Sequence, residues 1–193
     1  MSILTIPCHG LKPRIRITDL LIDLDNPLTW ARERTTVKAE YINAFVESIG
    51  NVFEMMLNTP LQRRQLRAST TGFERAGQTL TSVIGISGKA SGVVALVFPN
   101  KTAMELAKRF LGSEVDDSNG AVTDALAELV NMVGGSAKAK FNLDPPPELS
   151  LPTVIAGNDY KMRYPTKSAW FEVPFSSNAG DFVMELSFCK EET

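Results

Sequence analysis

The amino-acid sequence predicts an α+β fold in which long helices pack on a mainly antiparallel sheet. Three observations lead to this prediction. Two central segments repeat apolar residues at the 3.6-residue period of an amphipathic helix, and two runs rich in β-branched residues flank a glycine-containing turn. The last third of the chain consists of short aromatic and β-branched segments separated by turn residues, as is typical of antiparallel strands.

The composition indicates a globular protein with little net charge. The 193 residues are 44% hydrophobic and 22% charged, enough for one main domain with a sizeable core. The net charge of -2 does not indicate a nucleic acid or an anionic membrane as a partner. No run approaches the roughly eighteen apolar residues of a membrane span, and the first ten residues do not form a signal peptide pattern. We therefore expect a soluble, cytoplasmic protein.

Cysteine and histidine are too few for several common kinds of site. Cys8 and Cys189 stand near opposite ends of the chain, which argues against a disulfide framework or a four-thiolate metal site. His9 is the single histidine, so a Ser/His/Asp triad or a multi-histidine zinc site could form only around it. The adjacent Cys8 and His9 are more typical of an ordinary chain terminus than of a metal pair. We expect no metal site in this chain.

The first 36 residues differ from the rest in mixing prolines, charges and a short apolar alternation around Ile15 and Ile17. We interpret residues 1–36 as an N-terminal extension of uncertain structure that can supply one strand. Residues 37–193 form the predicted main domain.

The main domain is predicted to begin with a long helix from Val37 to Leu57, ended near Pro60. A hairpin follows over Thr79–Phe98, with its turn in SGKASG. The next helix has Asn100 as a candidate N-cap and Gly112 as a candidate C-terminal cap. In the first helix, the residues expected to face the core are Ile42, Phe45, Val46, Ile49, Val52, Phe53, Met56 and Leu57.

A third helix is predicted in AVTDALAELVNMVGGSAKAKF, which runs from Ala121 to Phe141. The prolines of the following DPPPELSLP cannot continue a helix and favour an extended connection. The remaining segments LPTVIAG, DYKMRYP, SAWFEVPF and GDFVMELSFC are predicted strands.

A polar stripe on the third helix is the candidate functional site. At about 100° per residue, Asp124, Glu128 and Asn131 fall on one side of the helix. Glu can pair with a cation, and Asn can hold a water by donating and accepting hydrogen bonds. Neither is a good nucleophile, so the pattern favours positioning of a water, although solvated helix faces of this composition are common. The opposite, core-facing side carries Val122, Leu126, Leu129, Val130 and Val133.

Small residues follow Asn131, so we expect a low, open surface beside the polar stripe. They are Gly134, Gly135, Ser136 and Ala137.

The first helix can also be aligned with the third, with Asn51 matching Asn131 and Ser48 matching Glu128. Such a match is compatible with a duplicated half-domain and equally with chance.

The motif Asp124-x-x-x-Glu128-x-x-Asn131, with Pro152 downstream, resembles the pattern of the CheC/CheX/FliY family of phosphatases, which act on phosphorylated CheY in bacterial chemotaxis. The likeness is closest to CheX. It runs in order from about Thr79 to the C-terminus through VIGISGKASGVVALVF, TAMELAKRFLG, ALAELVNMVGG and LPTVIAGND. Pro152 lies slightly nearer the Asn than in the usual family spacing. The resemblance implies a CheC/CheX-like two-layer domain.

The resemblance also implies a function, namely a protein aspartyl-phosphate phosphatase that dephosphorylates a CheY-like response regulator in chemotaxis or two-component signalling. In this family the Glu pairs with the active-site lysine of the receiver domain and the Asn orients the attacking water. These roles carry over to Glu128 and Asn131. Asp124 suits stabilisation of the helix dipole, and Pro152 suits the entry into the next strand. The receiver supplies Mg²⁺ in this family, so no cofactor is expected on this chain.

CheC-type members carry two motif copies and CheX carries one, so Ser48 in place of a first Glu implies a single active site. The resemblance further implies a homodimer. The alternative is a non-catalytic CheX-like module that binds a receiver domain or a flagellar-switch component. The N-terminal extension and the altered proline spacing favour this alternative, whereas retention of Glu128 and Asn131 favours the enzyme.

Overall fold

A computed structural model of the chain describes residues 2–5, 39–69, 73–116, 120–163 and 170–190. Cys8, His9, Ile15 and Ile17, including the strand predicted around the two isoleucines, lie outside these ranges. The described residues form three helices and ten strands: β1 (Ser2–Thr5), α1 (Ala39–Leu57), β2 (Gln62–Arg63), β3 (Arg67–Ser69), β4 (Gln78–Ser87), β5 (Ala90–Pro99), α2 (Asn100–Leu111), α3 (Ala121–Lys138), β6 (Glu148–Leu149), β7 (Thr153–Asn158), β8 (Tyr160–Arg163), β9 (Trp170–Ser176) and β10 (Phe182–Lys190).

The β4–β5 hairpin forms the centre of an antiparallel sheet. Its turn contains Gly88 with φ of 110°, within the predicted SGKASG turn. β10 pairs with β5, and β9 pairs with β10. Two short strands share each outer edge, since β2 and β3 both pair with β9, while β6 and β7 both pair with β4. The strand β1, from the predicted extension, instead pairs in parallel with β8.

The three described helices cover one face of this sheet, which confirms the predicted α+β, two-layer fold. Phe53 of α1 stacks on Phe182 of β10 with ring centroids 4.9 Å apart. Full burial of a phenylalanine contributes about 1.5–3 kcal/mol to stability. Met56 was predicted to be buried but is 44% exposed. In the last turns of α1 the buried row follows Ile49, Phe53 and Leu57 in steps of four, which turns Met56 outward.

The start of α2 corrects one prediction. Asn100 is not the N-cap, because Pro99 occupies that position with φ of -54° and ψ of 144°, and no side chain caps the helix. The amide of Asn100 instead lies 3.5 Å from Gln78 Oε1 on β4. Gly112 ends the helix as predicted, with φ of 66° and its N–H donated to the carbonyl of Lys108.

The sheet face opposite the helices buries two carboxylates side by side. Glu172 on β9 and Glu185 on β10 are direct cross-strand partners, and both are almost fully buried. Arg75 donates hydrogen bonds to both, with its Nη2 2.6 Å from Glu172 Oε2. Arg67 adds a second ion pair to Glu172. Burial raises the pKa of the Glu185 carboxyl, and the guanidinium of Arg75 opposes that rise.

None of the helices in the described ranges is long and apolar enough to cross a membrane.

Candidate functional site

Helix α3 carries the candidate site along its exposed side. The helix begins after Gly120, whose φ of 77° lies in the left-handed region. Asp124, Glu128 and Asn131 are all exposed. The five residues predicted to face the core are fully buried: Val122, Leu126, Leu129, Val130 and Val133. The helix therefore separates an apolar inner side from a polar outer side, as its sequence predicted.

Two neighbouring glycines on α3 lie in different environments. A Cβ on Gly134 would lie 3.1 Å from Ile84 Cδ1 and 3.3 Å from Leu149 Cδ1, whereas Gly135 has open space around it. Gly134 thus brings α3 close to β4 and β6 one turn after Asn131. The predicted low surface is therefore wrong in part. Gly134 and Ala137 fall on the inner side of the helix and are buried, Ser136 is partly buried, and Gly135 is exposed.

Because the two glycines differ in their surroundings, substitution by alanine should change the stability of the protein differently at each position. Gly135→Ala should stabilise the protein by about 0.5–1 kcal/mol, because alanine lowers the backbone entropy cost of the helix and meets no neighbour. Gly134→Ala gains the same propensity but must displace Ile84 and Leu149, so it should be clearly less stable than Gly135→Ala. Urea unfolding of the two variants measures the difference. Equal stabilities would contradict the close packing inferred at Gly134.

Pro152 lies in the break between β6 and β7. Ser150 holds this break against β4, since its N–H donates to the Gly85 carbonyl at 2.9 Å and its Oγ accepts the Gly85 N–H at 2.9 Å. Pro152 has no N–H to pair, and β7 begins directly after it at Thr153. This location is the entry into the following strand.

The aligned segment of α1 does not present a similar pair. Ser48, which aligns with Glu128, is fully buried, and its Oγ has no hydrogen-bond partner. Asn51 is exposed. The position equivalent to Glu128 therefore points into the core in α1.

The polar stripe of α3 forms an open surface. A cavity of about 270 Å³ lies elsewhere, among residues that include Arg75, Val97 and Phe182, and no residue of α3 lines it. Within the described part of the chain, no group of three or more His, Cys, Asp or Glu side chains is placed to hold a metal ion. What α3 can offer chemically is a carboxylate and an amide, one turn apart and open to a partner surface.

Fold and site together define a class of protein, a two-layer α+β domain that presents Glu and Asn on an exposed helix. The family described as chemotaxis phosphatase CheX matches residues 80–176, which include all of α2 and α3. The chain belongs to this chemotaxis phosphatase CheX family.

Known relatives agree with this assignment. The CheY-P phosphatase CheX of Thermotoga maritima is 26% identical over 127 residues, which cover 65% of this chain and 81% of the relative. The crystal structure of the chemotaxis protein CheX from Desulfovibrio desulfuricans has a TM-score of 0.69 at 28% identity, covering 79% of this chain and 99% of that one. A CheX–CheY–BeF3–Mg²⁺ complex from Borrelia burgdorferi shares the fold, with a TM-score of 0.57 at 18% identity, covering 79% and 98% of the two chains. The family predicted from the motif is confirmed.

Proposed function

We propose that this protein hydrolyses the aspartyl phosphate of a CheY-like response regulator. The exposure of Glu128 and Asn131 one turn apart on α3, in a chain of the chemotaxis phosphatase family, is the observation that carries the proposal. The relative from Thermotoga maritima is named a CheY-P phosphatase, and the Borrelia burgdorferi structure contains CheX together with CheY. Both support a receiver domain as the partner.

Glu128 is proposed to bind the receiver through a charge-assisted hydrogen bond to its active-site lysine. An ion pair between exposed side chains contributes only about 0–1 kcal/mol. It becomes stronger when the two surfaces close and exclude water, because the effective dielectric constant falls. Glu128 therefore contributes mainly to binding the receiver and to aligning the receiver's active site with α3.

Asn131 is proposed to act on the attacking water. Its amide can donate one hydrogen bond and accept another, which holds a water in line with the bond between phosphorus and the receiver carboxylate. The water oxygen forms the new bond to phosphorus, the carboxylate leaves with the electron pair of the old bond, and the water protons end on inorganic phosphate and solvent. Mg²⁺, held by the receiver, would neutralise charge on the phosphoryl oxygens.

Asp124 and Pro152 are proposed to have supporting roles. Asp124 lies in the first turn of α3, where a carboxylate interacts favourably with the helix dipole. Pro152 lies where the pairing of this edge with β4 is interrupted, directly before β7 begins. The homodimer and the cytoplasmic location stay predictions.

Glu128→Ala should raise the KM for the phosphorylated receiver about tenfold and change kcat less, because docking loses a cation partner. Initial rates over a range of receiver concentrations separate the two constants. Asp124→Ala is the matched control, since it removes another exposed carboxylate from the same side of the same helix. Equal effects of both substitutions would indicate a general charge effect and would contradict the specific role of Glu128.

The enzyme itself is tested by following phosphate release from a phosphorylated CheY-like receiver with and without the protein. The proposal expects release faster than receiver autohydrolysis at substoichiometric protein. Binding to the phosphorylated receiver with no acceleration would instead support the non-catalytic module.

A further inference from the structure

Leu151 is the most exposed large apolar side chain in the part of the chain that the structure describes, with 89% of its surface open. It lies in the break between β6 and β7, beside Pro152. A leucine that stays exposed leaves apolar surface in water that burial against a partner would remove.

The backbone at Leu151 is held on both sides. Ser150 pairs with Gly85 on β4 through its N–H and its Oγ, and the Ser150 hydroxyl also donates to the Leu151 carbonyl at 2.9 Å. Pro152 restricts the chain on the other side, because its ring fixes φ. A partner that buries Leu151 therefore has little backbone to order, and ordering is a large part of the cost of association.

This break adjoins the part of α3 that carries Asn131. Leu149 approaches α3 at Gly134, where its Cδ1 lies 3.3 Å from the position of a Cβ. Asn131 lies one turn before Gly134 and about 60° around the helix from it. Leu151 is two residues after Leu149, at most about 7 Å further along the chain. A standard interface covers about 800 Å² per partner, a patch about 30 Å across, so a partner docked over Asn131 comes within reach of Leu151.

We propose that Leu151 is a receiver-contact residue that buries its side chain against an apolar surface of the phosphorylated receiver when Asn131 enters the receiver's active site. This inference rests on the proposed function and names a further determinant of partner affinity. Glu128 and Asn131 lose bound water on docking, which offsets much of what their polar contacts contribute. Burial of Leu151 adds a favourable contribution without such a cost. Leu151 therefore adds to the affinity that Glu128 contributes, and Asn131 sets the rate of the chemical step.

Binding is tested with a CheY-like receiver saturated with Mg²⁺ and beryllofluoride, a stable mimic of the phosphorylated state. Leu151→Ala should raise Kd about tenfold, which corresponds to about 1.4 kcal/mol. Leu151→Met should stay within about twofold of the unsubstituted protein, because methionine retains apolar area. Met55→Ala is the matched control, since Met55 is 82% exposed on α1. In turnover assays, Leu151→Ala should raise KM by the same factor and leave kcat within about twofold.

A Kd for Leu151→Ala within twofold of the unsubstituted protein would overturn the inference. An equal loss in Leu151→Met would overturn it as well, because retained apolar area would then not matter. Tight, Leu151-dependent binding without acceleration of phosphate release would support this contact and contradict the proposed function. No binding by the unsubstituted protein would contradict both.

Discussion

Asn131→Ala should lower kcat for receiver dephosphorylation by about 10²–10³-fold, a loss typical of removing one hydrogen-bond donor that positions or stabilises reacting atoms. The same change should raise stability by a few tenths of a kcal/mol, because Asn131 is exposed and alanine is the better helix former. Loss of activity with a gain in stability would separate a catalytic role from a structural one. Single-turnover phosphate release and urea unfolding of the same preparation measure the two effects.

Asn51→Ala is the matched control for this prediction. Asn51 is also an exposed asparagine on a long helix, at the position that aligns with Asn131. The substitution should bring the same gain in helix propensity and no change in kcat. If Asn131→Ala retained full activity, the proposed mechanism would be wrong even if the protein hydrolysed the phosphate.

Arg75→Ala should destabilise the fold by about 3–5 kcal/mol, because it leaves Glu172 and Glu185 buried side by side without their shared cation. Arg67→Ala is the matched control. Arg67 also pairs with Glu172, but its side chain is 60% exposed, against 13% for Arg75. The guanidinium of Arg67 is largely hydrated and Glu172 keeps Arg75 as a partner in this variant, so the loss should be clearly smaller than in Arg75→Ala. Urea unfolding at pH 8 compares the two variants, and equal losses would contradict a special role for Arg75.

The loss in Arg75→Ala should also depend on pH. Burial raises the pKa of Glu185 above its ordinary value of 4.5, and removal of the opposing arginine raises it further. A carboxyl whose pKa is higher in the folded than in the unfolded state binds more protons when folded, so stability falls as pH rises above about 4.5 and levels off beyond the folded pKa. Arg75→Ala should therefore be less destabilising at pH 5 than at pH 8. An equal loss at both values would show that Glu185 is not the group left uncompensated.

Much of the fold was predictable because its signals are local. The period of 3.6 in α1 and α3 and the turn at Gly88 lie within short segments, and the structure has these elements within a few residues of their predicted bounds. The inner and outer sides of α3 also followed from spacing. The roles of Glu128 and Asn131 came from the family motif, since an exposed Glu and Asn on a helix are otherwise common, and these roles stay predictions.

Features that depend on distant parts of the chain were missed. Arg75 contacts Glu172 and Glu185 across 97 and 110 residues, and no local pattern pairs them. A signal was available, because each glutamate interrupts a strongly apolar predicted strand. The N-cap at Pro99 was missed because it depends on where β5 ends, and boundaries between elements are the least certain part of a sequence prediction. The attachment of Ser150 to β4 likewise depends on tertiary packing.

The orientation of α1 also limits how a second active site could arise in this chain. In the aligned segment of α1, replacement of Ser48 by glutamate would place a carboxylate three residues before Asn51, as Glu128 stands before Asn131. Because Ser48 is fully buried, that carboxylate would enter the core without a partner and destabilise the fold by several kcal/mol. A second site would require α1 to rotate about its own axis and repack against the sheet. Point mutation alone therefore offers no gradual evolutionary route from one active site to two.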